Sequence, residues 1–181
     1  MRSAGVGISK TMANIYLVGF MGTGKTAVGK EVARKLSQQF IDLDSQIEEK
    51  QNRKISQIFT EDGEAYFRSL EKQTLKKIAV GKNLVVSCGG GIILDKENIQ
   101  IMKETGRMIC LTSRPEVILA RTQGYRQRPL LNVDNPTERI DELLKIRAPF
   151  YAQADYTIDT SDLSVLAVVD KVLEHVRGKN N

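Results

Sequence analysis

Long apolar runs are missing from this sequence. No stretch approaches the ~18 uninterrupted apolar residues that a membrane-spanning helix needs. The N-terminal residues carry no long apolar segment either, so no secretory leader is expected and the expected compartment is the cytoplasm. Cysteine is scarce. Cys88 and Cys110 are the two present, each in or beside an apolar run and without CxxC spacing, and they read as reduced, buried thiols. Histidine is scarcer still, with His175 alone, so no Cys/His cluster supports a zinc site. His175 falls near the end of the last helical stretch and reads as a solvated helix residue, not a catalyst. Internal repeats and low-complexity tracts are also lacking.

The chain is basic, with a formal net charge of +5 and a pI of about 9.2, yet it has no Lys/Arg run interleaved with aromatics. Much of the excess arginine gathers at Arg114, Arg121, Arg126 and Arg128. That pattern favours a small polyanionic ligand over nucleic acid.

The 181 residues, 41% apolar and 27% charged, suit one globular domain that holds a core without disulfides or structural metal. Residues 1–12 have no periodicity and read as a tail; 13–177 read as the domain. Short apolar strands are expected at Ile15–Val18, Phe40–Leu43, Leu84–Cys88, Met108–Leu111 and Tyr156–Ile158. Helices are expected at Lys25–Gln38, Ser45–Lys50, Gly63–Val80, Lys96–Glu104, Glu116–Gln123, Thr137–Ala152 and Leu163–Val176. Asn135-Pro136-Thr137-Glu138 carries an Asn cap, a proline at the first position and a glutamate three residues after the cap. This alternation implies an α/β fold, a parallel sheet with helices on both faces, with ligands beyond the carboxyl ends of the strands.

The strongest local signal is Gly19-Phe20-Met21-Gly22-Thr23-Gly24-Lys25-Thr26, a GxxxxGK[ST] match that follows a strand and opens a helix. Glycines let the backbone curl so that its N–H groups point at phosphates, and the helix N-terminus adds partial positive charge. Lys25 reaches the outer phosphates and Thr26 can ligate magnesium. The cradle alone does not name a reaction. No NKxD or DxxG occurs, which argues against a GTPase. The third strand carries no acidic residue, which argues against motor and transporter ATPases. Asp42-Leu43-Asp44 is then the source of carboxylate for magnesium, and alternation along an extended strand would put both carboxylates on one side. The blander reading is a strand end with an Asp cap on the following helix.

Four more elements stand out. Phe67-Arg68 lies in a helix with Glu61, Asp62 and Glu64 at its start. Gly89-Gly90-Gly91 directly follows the third strand. Arg121 and Arg126-Gln127-Arg128-Pro129-Leu130-Leu131 make a basic segment, expected to be a mobile lid at about 123–133. Arg147 precedes Pro149, whose disturbance of the helix would aim it inward. Each has a plain alternative: solvated arginines, a tight turn, an exposed loop, or surface ion pairs of Arg68 and Arg147 with Glu71 or Asp155.

In combination these motifs resemble shikimate kinase, a family of P-loop small-molecule kinases. The resemblance rests on GFMGTGKT at Gly19–Thr26, F-x-D-x-D at Phe40–Asp44 and DGE-x-x-FR at Asp62–Arg68. It continues with GGG at Gly89–Gly91, RPLL at Arg128–Leu131 and RAP-x-Y at Arg147–Tyr151, all in the family's order over about residues 14–160. It implies a five-stranded parallel sheet in the order 2-3-1-4-5 and transfer of the ATP γ-phosphoryl to the 3-hydroxyl of shikimate. It further implies that Gly22, Thr23, Gly24, Lys25, Thr26 and Ala27 hold the nucleotide with Arg121, near the adenine, and Arg128, over the phosphates. Thr26 and Asp42 would serve Mg²⁺. Asp44, Arg68, the Gly90 N–H and Arg147 would hold shikimate, and Lys25, Asp44 and Arg128 would carry the chemistry. The implied partner is the small anionic acceptor, with no nucleic acid, no membrane and a monomeric chain. At Thr160-Ser161-Asp162 the family's frequent Arg or Gln is absent. The alternatives are a kinase for gluconate or a nucleoside monophosphate, and a nucleotide-binding module that transfers nothing.

Overall fold

The computed structural model describes residues 13–122 and 133–178. Five parallel strands form one sheet in the order β2-β3-β1-β4-β5. They are β1 Asn14–Val18, β2 Gln39–Asp42, β3 Leu84–Ser87, β4 Gly106–Thr112 and β5 Tyr156–Asp159. The register pairs Leu17 with Ser87 on one side of β1 and with Ile109 on the other. The central strand β1 is buried along its whole length, as its two-sided apolar sequence requires.

Alternation along β1 divides the core. Tyr16 and Val18 face the larger cluster, which α2 (Leu43–Gln51), α3 (Ile55–Glu61), α4 (Gly63–Ala79) and α5 (Lys96–Thr105) complete. Ile15 and Leu17 face the smaller one, closed by Val28 and Val32 of α1 (Lys25–Leu36) and Val168 and Val172 of α8 (Val165–Gly178). Phe20 forms a third cluster with Ile118 of α6 (Pro115–Thr122) and Ile140 and Leu143 of α7 (Pro136–Tyr151). Asn135 caps α7 as expected: its side chain accepts from the Glu138 N–H, with Pro136 in the first turn. Among the described residues no helix is long and apolar enough to cross a membrane.

Three expectations need correction. The second strand ends at Asp42, which is the N-cap of α2 and accepts the Ser45 N–H; Asp44 is therefore in the first helical turn, not on the strand. Strand alternation does not bring the two carboxylates together; the strand-to-helix turn does. The seven-residue helix α3 was not foreseen. At its N-terminus the Gln57 side chain accepts the Lys54 N–H and the Glu48 carboxylate of α2 accepts the Ile55 N–H, so its start rests on one local and one tertiary contact. Finally, α7 runs through Pro149 to Tyr151, close to the expected Thr137–Ala152, and what needs correcting is the cause of Arg147's orientation. Arg147 faces inward because it shares the buried stripe of Ile140, Leu143 and Tyr151, not because a proline breaks the helix.

Candidate active site

The loop between β1 and α1 curls at the carboxyl end of the central strand. Gly19, Gly22 and Gly24 have φ of 138°, 79° and 91°, which side chains rarely adopt, and a Cβ on Gly19 would lie 2.1 Å from the Leu111 carbonyl oxygen. Lys25 Nζ donates to the Gly19 and Phe20 carbonyls, both at 2.8 Å. The buried Thr23 hydroxyl donates to Phe20 O at 2.7 Å and stiffens the curl. Ala27 lies exposed in the first turn of α1. Arg121 ties this loop to the segment after β5: its Nη1 donates to Gly22 O at 3.3 Å and to Thr160 Oγ1 at 3.1 Å. Arg114 instead engages Asp162 through two hydrogen bonds, at 2.6 and 2.8 Å.

Beside the cradle, Thr26 Oγ1 donates to Asp42 Oδ2 at 2.9 Å and lies 3.3 Å from Ser87 Oγ. Three side-chain oxygens thus meet where α1, β2 and β3 converge. Ser87 was missed by sequence reasoning; a hydroxyl at the end of the apolar run Leu84–Val86, at the carboxyl edge of the expected sheet, was the available signal.

The second half of the site forms around Gly89-Gly90-Gly91, and each glycine receives different side chains. A Cβ on Gly89 would lie 2.5 Å from Glu71 Oε1 and 3.0 Å from Asp44 Oδ1. One on Gly91 would lie 2.4 Å from Arg68 Nη2. At Gly90 the neighbours are Arg147 Nη1 and the Gly19 carbonyl, each 3.4 Å away. The loop is therefore bare because side chains from α2, α4 and α7 already occupy the space, and it touches the cradle at Gly19. Arg147 is 2% exposed, donates to Gly90 O at 3.2 Å and lies 5.3 Å from the centre of the Phe20 ring. A cavity of about 750 Å³ is lined by Arg68, Glu71 and Gly91 together with Glu64, Leu94 and Asn98.

Electrostatically this half is under tension. Asp44 Oδ1, Glu71 Oε1 and Arg147 Nε are enclosed without a hydrogen-bond partner. Burial pushes the Asp44 carboxyl up to about 6, and Asp42 adds to the rise while Lys25 and Arg68 oppose it. Burial likewise takes Glu71 up to about 7, against the pull of Arg68. Arg68 does pair with Glu71, Nη1 to Oε2 at 2.7 Å, and with the exposed Glu64. Glu71 is fully buried, so this is no surface ion pair. Asp155 instead accepts the Met108 N–H. The sequence offers Glu71 only as a surface ion-pair partner, because its helix is rich in charge. Its place between Phe67 and Leu75, four residues from each on one helical face, was the signal.

Of the expected site residues, Gly22–Ala27, Asp42, Arg121, Asp44, Arg68, Gly90 and Arg147 gather at the carboxyl end of the sheet. Arg128 and the expected lid, apart from Val133, lie outside the described residues. A cradle for phosphates thus adjoins a triglycine loop on which two guanidiniums, Arg68 and Arg147, and two buried carboxyls, Asp44 and Glu71, converge, a layout suited to moving a phosphoryl group onto an anionic, hydroxylated acceptor.

A family model described as shikimate kinase matches residues 21–177. The chain is 50% identical over 163 residues to a shikimate kinase of Thermoanaerobacter pseudethanolicus, covering 90% of this chain and 95% of that one. It is 44% identical over 170 residues to one of Thermodesulfovibrio yellowstonii, covering 94% and 98%. Among solved structures it is similar to the shikimate kinase of Acinetobacter baumannii in complex with shikimate, with a TM-score of 0.91 and 39% identity over 94% of this chain and 96% of that one. The shikimate kinase of Aquifex aeolicus is similar at a TM-score of 0.81 and 34% identity, over 92% and 97%.

Proposed function

The chain belongs to the shikimate kinase family, and on that premise we propose that it transfers the γ-phosphoryl group of ATP to the 3-hydroxyl of shikimate, giving shikimate 3-phosphate and ADP. The observation that carries this reading is the lodging of Arg68 and Arg147 against adjacent glycines of one loop, with Asp44 beside them. Two guanidiniums match a carboxylate, and a carboxylate beside them matches the hydroxyls of a polyol.

In this reading the work is positioning and charge stabilisation, since the transferred group is loosely bonded in the transition state. The backbone N–H groups of Gly22–Ala27 and the Lys25 ammonium hold the β- and γ-phosphates. Arg68, Arg147 and the Gly90 N–H grip the acceptor carboxylate. Asp44 orients the 3-hydroxyl and takes its proton as the oxygen attacks phosphorus. Arg121 flanks the nucleotide, and Arg128, with the segment about 123–133 as a closing lid, covers the phosphates.

The donor set fits magnesium, which takes hard oxygens at one or two protein ligands and leaves the rest to phosphates and water. Thr26 and Asp42 would hold it, with Ser87 behind them. When bound, the ion neutralises charge on the phosphate oxygens. A monomer is the assembly proposed with this reading. The cytoplasm suits both ATP as donor and the unpaired Cys88 and Cys110. The test is coupled ADP release with shikimate, gluconate and nucleoside monophosphates offered in parallel. Turnover with shikimate alone is expected; turnover with another acceptor instead, or with none, overturns the reading.

A further inference from the structure

We propose that Tyr151 is a positioning residue for the acceptor site, acting through the carbonyl of Gly90. The proposal rests on the functional reading above, and it assigns a task to a side chain that touches neither ligand in that reading.

Tyr151 is the last residue of α7 and is 6% exposed, its ring packed in the larger core. Its hydroxyl crosses to the triglycine loop and donates to Gly90 O at 2.7 Å. Arg147, one helical turn earlier, donates Nη1 to the same oxygen at 3.2 Å. A carbonyl oxygen has two lone pairs, so it accommodates both donors. Gly90 lies between two other glycines, so the loop's own chain resists rotation of this peptide very little. Beside the turn bond from the Ile92 N–H to Gly89 O, which closes around Gly90 and Gly91, α7 supplies the two side-chain bonds made directly to this carbonyl.

Two consequences follow from pinning that oxygen. The peptide is planar and trans, so a Gly90 carbonyl turned toward α7 turns the Gly91 N–H to the opposite side. The carbonyl also tethers Arg147, whose Nε has no partner of its own. A buried tyrosine hydroxyl always needs some partner, and that need alone would be structural. Here the partner is the backbone of the acceptor loop, shared with an acceptor arginine, and the two roles separate experimentally.

Tyr151→Phe removes the hydroxyl and leaves the ring in place. Shikimate and ATP are titrated separately into parent and variant, and melting temperatures are recorded beside them. Losing one neutral hydrogen bond should weaken shikimate binding about 3- to 10-fold, with ATP affinity within about twofold. In the double variant with Arg147→Lys, the combined loss should be smaller than the product of the two single losses, because both act on one carbonyl. Unchanged shikimate affinity, whatever the melting temperature, overturns the proposal. So does an equal loss for both ligands, or a double variant whose losses multiply. A parent protein that binds no shikimate overturns the functional reading and this proposal with it, whereas a parent that binds and a variant that binds equally well overturn only this proposal.

Discussion

The nucleotide cradle and the acceptor pocket touch at Gly19 and Gly90, yet they are built in opposite ways. The cradle is nearly all one stretch, Gly19–Ala27, whose shape follows from glycines at positive φ and from bonds its members make with each other. The acceptor pocket draws Asp44 from α2, Arg68 and Glu71 from α4, the triglycine loop from the end of β3, and Arg147 from α7. Local geometry makes the first; packing of separate helices around one bare loop makes the second. Each should therefore fail separately.

The largest expected effect is at the cradle. Lys25→Ala should cut the rate of phosphoryl transfer about 10²- to 10³-fold while the melting temperature stays close to the parent's, because a group that stabilises transferring charge is lost and no core contact goes with it. Steady-state ADP release together with thermal unfolding checks this, and unchanged turnover in a folded variant breaks the assignment.

The same contrast explains what could be read from the sequence. The cradle was legible because its chemistry is contiguous and its strand-to-helix setting is short-range. All five strands were legible as apolar runs, and the Asn135 cap as a spacing. The acceptor pocket was legible only as motifs whose meeting point came from a family resemblance. Asp44 was placed on a strand because an FxDxD alternation and a capped helix start look alike until the backbone turns at Asp42. Glu71 looked like one more charge on a solvated helix, since its burial depends on β3 and its loop arriving from elsewhere. The start of α3 is held partly by Gln57 nearby and partly by Glu48, a partner no local pattern reveals.

At the acceptor pocket, Arg68→Lys and Arg147→Lys keep the charge but lose the planar fork. A charge-assisted contact is worth about 1.5–3 kcal/mol, so shikimate affinity should fall roughly 10- to 150-fold in each. ATP affinity should change far less. Separate calorimetric titrations of the two ligands measure both numbers, and normal shikimate binding in both variants would place the pocket elsewhere.

The carboxyls give a smaller effect with a definite sign. Asp44 and Glu71 sit above their ordinary values, at about 6 and about 7, so folding favours their neutral forms. Their contribution to stability is fully present below about pH 4 and is lost as pH rises through those values. Asp44→Asn, neutral throughout, should melt a few degrees above the parent at pH 8 and close to it at pH 4, at about 2–4 °C per kcal/mol for a chain of this size. Melting scans at the two pH values decide it; a variant less stable at pH 8 contradicts the buried-charge account.

The most direct test perturbs the shared loop without replacing a functional side chain. Gly91 has φ of −101°, which alanine adopts freely, and the nearest atoms to an added methyl all belong to the Arg68 guanidinium. Gly91→Ala should therefore displace Arg68 alone. Titrating shikimate and ATP separately into this variant should show shikimate binding weakened about 3- to 10-fold, part of one charge-assisted contact, with ATP binding unchanged. Shikimate binding equal to the parent's, or the same loss for both ligands, would contradict an acceptor pocket packed around the triglycine loop and separate from the cradle.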